Sequence, residues 1–194
     1  MTRRAMDLTA AIETLRSLRH PRDVVITTMG SAREWMALGL EPLDLVFVPS
    51  AMGHATSIGL GLALARPDRR IIVCNGDGSM LMNLGSLVTI AAAAPANLTV
   101  VVFNNGIYEV TGAQPTPNSL ADVDFTTIAR GCGITSAHHF GTNAAWDESA
   151  ATIIGTAGPH VITLDVAPVL DRPGPKSPGN AAKRATAFKL ELSR

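Results

Sequence analysis

Arg70-Ile71-Ile72-Val73-Cys74-Asn75-Gly76-Asp77-Gly78-Ser79 is the stretch on which the reading of this chain turns. Residues 70–74 have no polar alternation, Ile71 to Cys74 being β-branched or apolar, the pattern of a central strand in a parallel sheet covered on both faces. The strand ends in a glycine turn, and a helix follows at about 80–93. In an open parallel sheet, ligands sit at the carboxyl ends of the strands. Gly76 and Gly78 let the backbone turn tightly and approach a ligand. The free N–H groups of the next helix face an anion such as a diphosphate. Asp77 adds the hard carboxylate oxygen that Mg²⁺ takes when it bridges protein and phosphate. A Gly-Asp-Gly triplet alone is equally well a turn carrying a solvated acid.

Outward from there the chain alternates. Leu8, Ile12, Leu15 and Leu18 recur at helical spacing over 7–20, and His20-Pro21 ends that helix. Val24 to Thr27 is a short buried strand. Ser31 and Glu34 have the spacing of a capping box, for a helix running to about Leu40. Leu45 to Val48 is the next strand, and 53–65 is a helix rich in glycine and alanine. Leu98 to Phe103 is another buried strand. Residues 104–121, rich in Gly, Pro, Thr and Asn, read as a loop. Helices follow at 124–130 and 144–155, with an edge strand at 134–137 and a last strand at 160–166. The order predicts a three-layer α/β/α domain with a mainly parallel sheet over residues 1–167. Residues 168–194 form a tail, either a disordered end or an arm packed through Phe188, Leu190 and Leu192 onto a partner.

Composition narrows the function classes. The 194 residues suit one domain with a sizeable core. Formal net charge is zero, and the arginines are scattered, with Arg69 and Arg70 expected in a solvated loop, so no nucleic-acid footprint is predicted. Charged residues are only 16% of the chain. Either another subunit covers much of the surface, or small Ala and Gly residues raise the apolar share. Cys74 and Cys132 belong to no CxxC pair, which excludes a disulfide scaffold or a zinc site and suits a reduced cytoplasmic protein. No signal peptide and no membrane span is expected.

Asn104-Asn105-Gly106 closes the strand that follows the Gly-Asp-Gly strand. Adjacent parallel strands bring these residues beside Asp77. The side-chain oxygen of Asn105 and the carbonyl of Ile107 would complete an oxygen shell around a metal. Asn-Gly alone marks a turn; the two motifs at successive strand ends are a joint signal for a metal–diphosphate site.

The pair of motifs resembles the C-terminal, diphosphate-binding domain of thiamine diphosphate enzymes, among them pyruvate decarboxylase, acetolactate synthase and benzoylformate decarboxylase. In that family GDG is followed by roughly thirty residues and then NN, here Gly76 through Asn105. The resemblance implies Asp77, Asn105 and the Ile107 carbonyl as metal ligands. It implies Ser79, with Gly78 and Met80 backbone groups, at the diphosphate, and Gly53, Gly76 and Tyr108 around the cofactor. Ser50-Ala51-Met52-Gly53-His54-Ala55 resembles the segment beneath the aminopyrimidine, with Met52 as the wedge and the Ser50 carbonyl as acceptor for the 4'-amino group. Without the motif pair Met52 reads as a core methionine. His54 either faces substrate or caps the helix. The segment Thr27-Thr28-Met29-Gly30-Ser31-Ala32-Arg33-Glu34 narrows the likeness to the beta subunit of sulfopyruvate decarboxylases and the matching domain of phosphonopyruvate decarboxylases, over about residues 8–167.

Two departures stand out. Asn83-Leu84-Gly85-Ser86 lacks the acid often found after GDG, and the loop 106–121 offers Tyr108, Glu109, Thr111 and Gln114 but no strong anion clamp. The resemblance further implies a small 2-oxo acid substrate, and an activating glutamate supplied by a pyrimidine-binding alpha subunit. Glu13 and Glu34 are expected on surface helices and Glu41 in a turn, so none is placed for that role. The expected enzyme is a hetero-oligomer, a dimer of heterodimers or larger, inactive as a single chain. The competing readings are a carboligase or a 2-oxo acid oxidoreductase subunit using the same cofactor, a nucleotide-binding Rossmann domain, and a non-catalytic α/β domain. Met29-Gly30-Ser31 lacks the Gly-x-Gly-x-x-Gly turn of a Rossmann domain.

Overall fold

Val24-Val25-Ile26-Thr27-Thr28 and Ile71-Ile72-Val73-Cys74 are runs with no polar side for water, and both form fully buried strands. A computed structural model describes residues 5–47, 52–121, 123–170 and 177–194. In chain order the strands are β1 (Val24–Thr28), β2 (Asp44–Phe47), β3 (Ile71–Gly76), β4 (Leu98–Asn104), β5 (Ile107–Tyr108), β6 (Gln114–Pro115), β7 (Ser136–Phe140) and β8 (His160–Asp165). Six of them make one parallel sheet in the order β2-β1-β3-β4-β8-β7, and β5 pairs antiparallel with β6 apart from it.

Successive residues of a strand point to opposite faces, and β3 shows the consequence. Ile71 and Val73 join the layer of α3 (Ala55–Ala65), α5 (Ser86–Ala93) and α7 (Phe125–Gly131). Ile72 and Cys74 join the layer of α1 (Leu8–Ser17), α2 (Met29–Ala37) and α8 (Asn143–Ile154). Each large apolar side chain buried this way contributes about 1.5–3 kcal/mol. Trp146 anchors α8 to α1, its Nε1 donating to the Ala11 carbonyl at 3.1 Å. The small residues of α3 have a packing cause: a Cβ on Gly59 would lie 2.3 Å from Val73 Cγ2, so the helix rests directly on β3.

Several expectations are corrected. Helix α2 begins at Met29 with Thr28 at its N-cap, so Ser31 is the third helical residue and forms no capping box. Its hydroxyl instead donates to the carbonyls of Thr28 and Cys74, at 2.8 and 3.2 Å, tying the helix to β3. Glu34, expected at the surface, is 7% exposed and accepts from Thr9 Oγ1 at 3.0 Å. Arg69 and Arg70 are not in a solvated loop. Arg69 is buried, and Arg70 donates to Asp23 Oδ2 and to the Leu18 carbonyl.

The single helix expected at 80–93 is two, α4 (Asp77–Leu81) and α5. Between them Asn83 turns its amide away to the Gly53 carbonyl at 2.8 Å, and Ser86 Oγ returns to the Asn83 carbonyl at 2.7 Å. Such side-chain bonds compete with the helical ladder. The loop at 104–121 holds β5, β6 and a short helix, α6 (Pro117–Ala121), with proline at its first position. In the tail, α9 (Ala181–Leu192) rests Phe188 and Leu192 on this chain's own core, while Leu190 faces outward. No described helix is long and apolar enough to cross a membrane.

Candidate functional site

From β1 the chain leaves toward β2, and from β3 it leaves toward β4 on the other side. Connections that diverge in this way open a crevice at the carboxyl ends of the two strands. A cleft lies there. The turn after β1 supplies Met29, Gly30 and Ser31, the turn after β3 supplies Gly76 to Ser79, and the segment after β4 supplies Asn105 and Ile107 to Val110. Met52 completes the wall, and Leu8, Phe103 and Val166 form an apolar floor.

Asp77 is 2% exposed. Its Oδ2 accepts from the Gly106 amide and from Thr116 Oγ1, each at 3.0 Å. Burial pushes its carboxyl above the ordinary carboxylate value, against these hydrogen bonds, which favour the anion. Asn105 Oδ1 accepts from the Ile107 amide at 3.0 Å, a local turn that holds the amide oxygen at the cleft. Asp77, the Asn105 oxygen and the Ile107 carbonyl are all hard oxygen donors, the set that suits Mg²⁺.

Gly76 and Gly78 differ in cause. A Cβ on Gly76 would meet no atom within 4 Å, so the space beside that backbone is open. A Cβ on Gly78 would lie 2.3 Å from the Tyr108 ring. Ser79 Oγ accepts from the Gly53 amide at 3.0 Å, with Gly53 at φ +77°, so the hydroxyl proton remains available to another acceptor. Met29 lines the cleft at φ +58°, a conformation that costs a non-glycine residue about 1–3 kcal/mol. Glu109 reaches across the cleft mouth. Its Oε1 accepts from the Val169 amide at 2.7 Å, and its Oε2 lies 2.7 Å from where a Gly30 Cβ would be. Burial raises its carboxyl too.

Residues 27–164 match the family model described as thiamine pyrophosphate enzyme, C-terminal TPP binding domain. The chain belongs to this family. Among curated TPP-family relatives, the phosphonopyruvate decarboxylase of Streptomyces viridochromogenes is 41% identical over 87% of this chain and 43% of its own length. That of Streptomyces hygroscopicus is 37% identical over 94% of this chain and 45% of its own. The sulfopyruvate decarboxylase subunit beta of Methanothermobacter thermautotrophicus is 45% identical over 57% of this chain and 58% of its own. The chain thus spans about half the length of these relatives. A candidate thiamin diphosphate-dependent enzyme from Mycobacterium smegmatis, solved by X-ray, superposes with a TM-score of 0.70 at 20% identity, over 84% of this chain and 32% of that one. It shares the fold.

Of the residues expected at a TPP-family site, the fold brings Met52, Gly76, Asp77, Gly78, Ser79, Asn105, Ile107 and Tyr108 to one cleft. Gly53 joins them through Ser79. The Met80 side chain is in the core beneath, where Asn75 Nδ2 lies 3.8 Å from its sulfur. His54 is exposed at the N-cap position of α3, and its side chain caps nothing. Ser50 lies outside the described residues. Sequence reasoning missed Thr116 and Asn118, whose side chains both bond Asp77, and left Glu109 in a loop of no assigned role. Pro117 could have signalled a helix start beside Thr116; nothing local marks Thr116 as a partner of Asp77.

Proposed function

We propose that this chain is the diphosphate- and metal-binding part of a thiamine diphosphate-dependent 2-oxo acid decarboxylase, of the sulfopyruvate or phosphonopyruvate decarboxylase kind. The observation that carries the reading is the buried Asp77 carboxylate, which has no cationic side chain bonded to it among the described residues and shares its cleft with Asn105 and Ile107. A buried carboxylate is stabilised by pairing or by a metal. The open space at Gly76 and the relatives' names point the same way.

In this reading Asp77, the Asn105 side-chain oxygen and the Ile107 carbonyl hold Mg²⁺. Gly76 and Gly78 would bring backbone close to the diphosphate, and the Ser79 hydroxyl would donate a hydrogen bond to it. Met52 supports the rings from below, and the apolar floor of Leu8, Phe103 and Val166 keeps water out. Bound thiamine diphosphate supplies the electron sink that lets carbon dioxide leave a 2-oxo acid. The activating carboxylate comes from a pyrimidine-binding alpha subunit, in a hetero-oligomer. That the chain spans only part of its relatives, and that one of these is named as a beta subunit, supports a partner.

Calorimetric titration of thiamine diphosphate with Mg²⁺, into the chain alone and with its co-purified partner, tests this. Saturable binding that Asp77→Ala abolishes, followed by carbon dioxide release from a 2-oxo acid, is the expected result. No binding in either preparation would refute the cofactor reading.

A further inference from the structure

Thr116 belongs to neither motif, and it is fully buried 39 residues from Asp77. Its hydroxyl donates to Asp77 Oδ2 at 3.0 Å, and the Gly106 amide donates to that same oxygen at the same distance. The two donors are tied to each other, because the Thr116 amide donates to the Gly106 carbonyl at 2.9 Å. Gly106 reaches this position at φ +76°. On the far side, Ser119 returns both its amide and its hydroxyl to the Thr116 carbonyl, at 3.0 and 2.8 Å. Asn118, 4% exposed, donates to Asn104 Oδ1 at 2.7 Å.

The backbone bond between Gly106 and Thr116 closes this loop without help from the hydroxyl. A valine would fill the same volume and leave Oδ2 with one donor fewer. The terminal torsion of an aspartate is otherwise broad and two-fold. Two donors on one carboxylate oxygen occupy its two lone-pair sites, and the Gly78 amide and the Asn118 side chain also bond the carboxyl, so the ligand-free carboxylate is held in a single orientation.

We infer that Thr116 is a positioning residue for the divalent metal: with Gly106 it clamps Asp77 through Oδ2 and so sets the orientation in which the carboxylate meets the ion. The inference rests on the metal–diphosphate reading. It makes the segment between β4 and α7 part of the metal site's support, reaching beyond the residues that touch the ion.

The test compares wild type with Thr116→Val and Thr116→Ser, using the full chain with its co-purified partner. Mn²⁺ binding in the presence of thiamine diphosphate is followed by electron paramagnetic resonance, and thermal unfolding is measured without metal. Loss of an orienting partner of this kind weakens metal affinity by about 10–100-fold. Thr116→Val should show that loss with little change in metal-free unfolding, and Thr116→Ser should restore affinity to near wild type. Should the valine variant not fold, Thr116→Ala, which keeps the backbone bond, carries the same expectation. Equal Mn²⁺ affinity in wild type and Thr116→Val overturns the clamp alone, as does an equal loss in the serine and valine variants, which would show that the hydroxyl is not what sustains affinity. Wild type that binds neither Mn²⁺ nor thiamine diphosphate overturns the site reading and the clamp with it.

Discussion

The ring of Tyr108 lies against the backbone of Gly78, where an added Cβ would sit 2.3 Å from Tyr108 Cε1 and 2.7 Å from Cδ1. The second glycine of the turn therefore has a packing partner as well as a turn to make. Gly78→Ala must displace the ring, and overpacking of this kind costs about 1–3 kcal/mol. That cost should largely vanish in a Tyr108→Ala background, as a double-mutant cycle in urea unfolding would read. An equal cost of Gly78→Ala in the wild-type and Tyr108→Ala backgrounds would show that the ring is not what the glycine accommodates.

Asp77→Asn separates function from stability. Burial disfavours the charged carboxylate, and an amide oxygen can still accept from Gly106 and Thr116. The variant should lose Mg²⁺-dependent thiamine diphosphate binding. Its metal-free unfolding temperature should equal or exceed that of wild type. A large drop in that temperature would mean that the carboxylate holds the fold together.

His138 introduces a pH dependence away from the cleft. Desolvation, then His160 and Arg130, lower its imidazole below the ordinary value. Its Nε2 lies 3.0 Å from Ser136 Oγ, which also bonds His160 Nδ1 at 2.7 Å. A depressed folded-state value means that the unfolded chain takes up the proton first. This contribution to stability is present above about pH 6.5, the unperturbed value, and is lost as pH falls through the folded-state value. His138→Gln should flatten the decline in urea midpoint between neutral and mildly acidic buffer. An unchanged slope would assign the decline to other groups.

The two cysteines should react in order. Cys74 is fully buried, and desolvation followed by the nearby Asp44 charge pushes its thiol well above the usual range. Cys132 is partly exposed. The thiolate is the reactive form, so iodoacetamide should modify Cys132 in the native protein and Cys74 only in denaturant, as peptide mass spectrometry would show. Native labelling of Cys74 would mean that β3 opens readily.

The parallel sheet and the cleft's main residues were legible because local pattern carries them. A strand buried on both faces must read as an unbroken apolar run, as Ile71 to Cys74 does. Glycine turns at successive strand ends converge wherever the strands are neighbours, and β3 and β4 are neighbours. The roles of polar side chains were not legible. Ser31 and Glu34 match a capping box by spacing, yet both bond across to other elements, Ser31 to β3 and Glu34 to α1. Asn83 breaks a helix whose apolar pattern continues, because its amide finds the turn before α3.

The layers, the parallel sheet, and the meeting of Asp77 with Asn105 in one cleft follow from local pattern, since burial period and strand-end turns are properties of short stretches. That Thr116 holds Asp77, that Tyr108 covers Gly78, and that Glu109 reaches Val169 across the cleft mouth emerges from the folded arrangement alone. A hydrogen bond or a ring contact is satisfied by whichever partner the folded backbone places within reach, and no local spacing records which partner that will be.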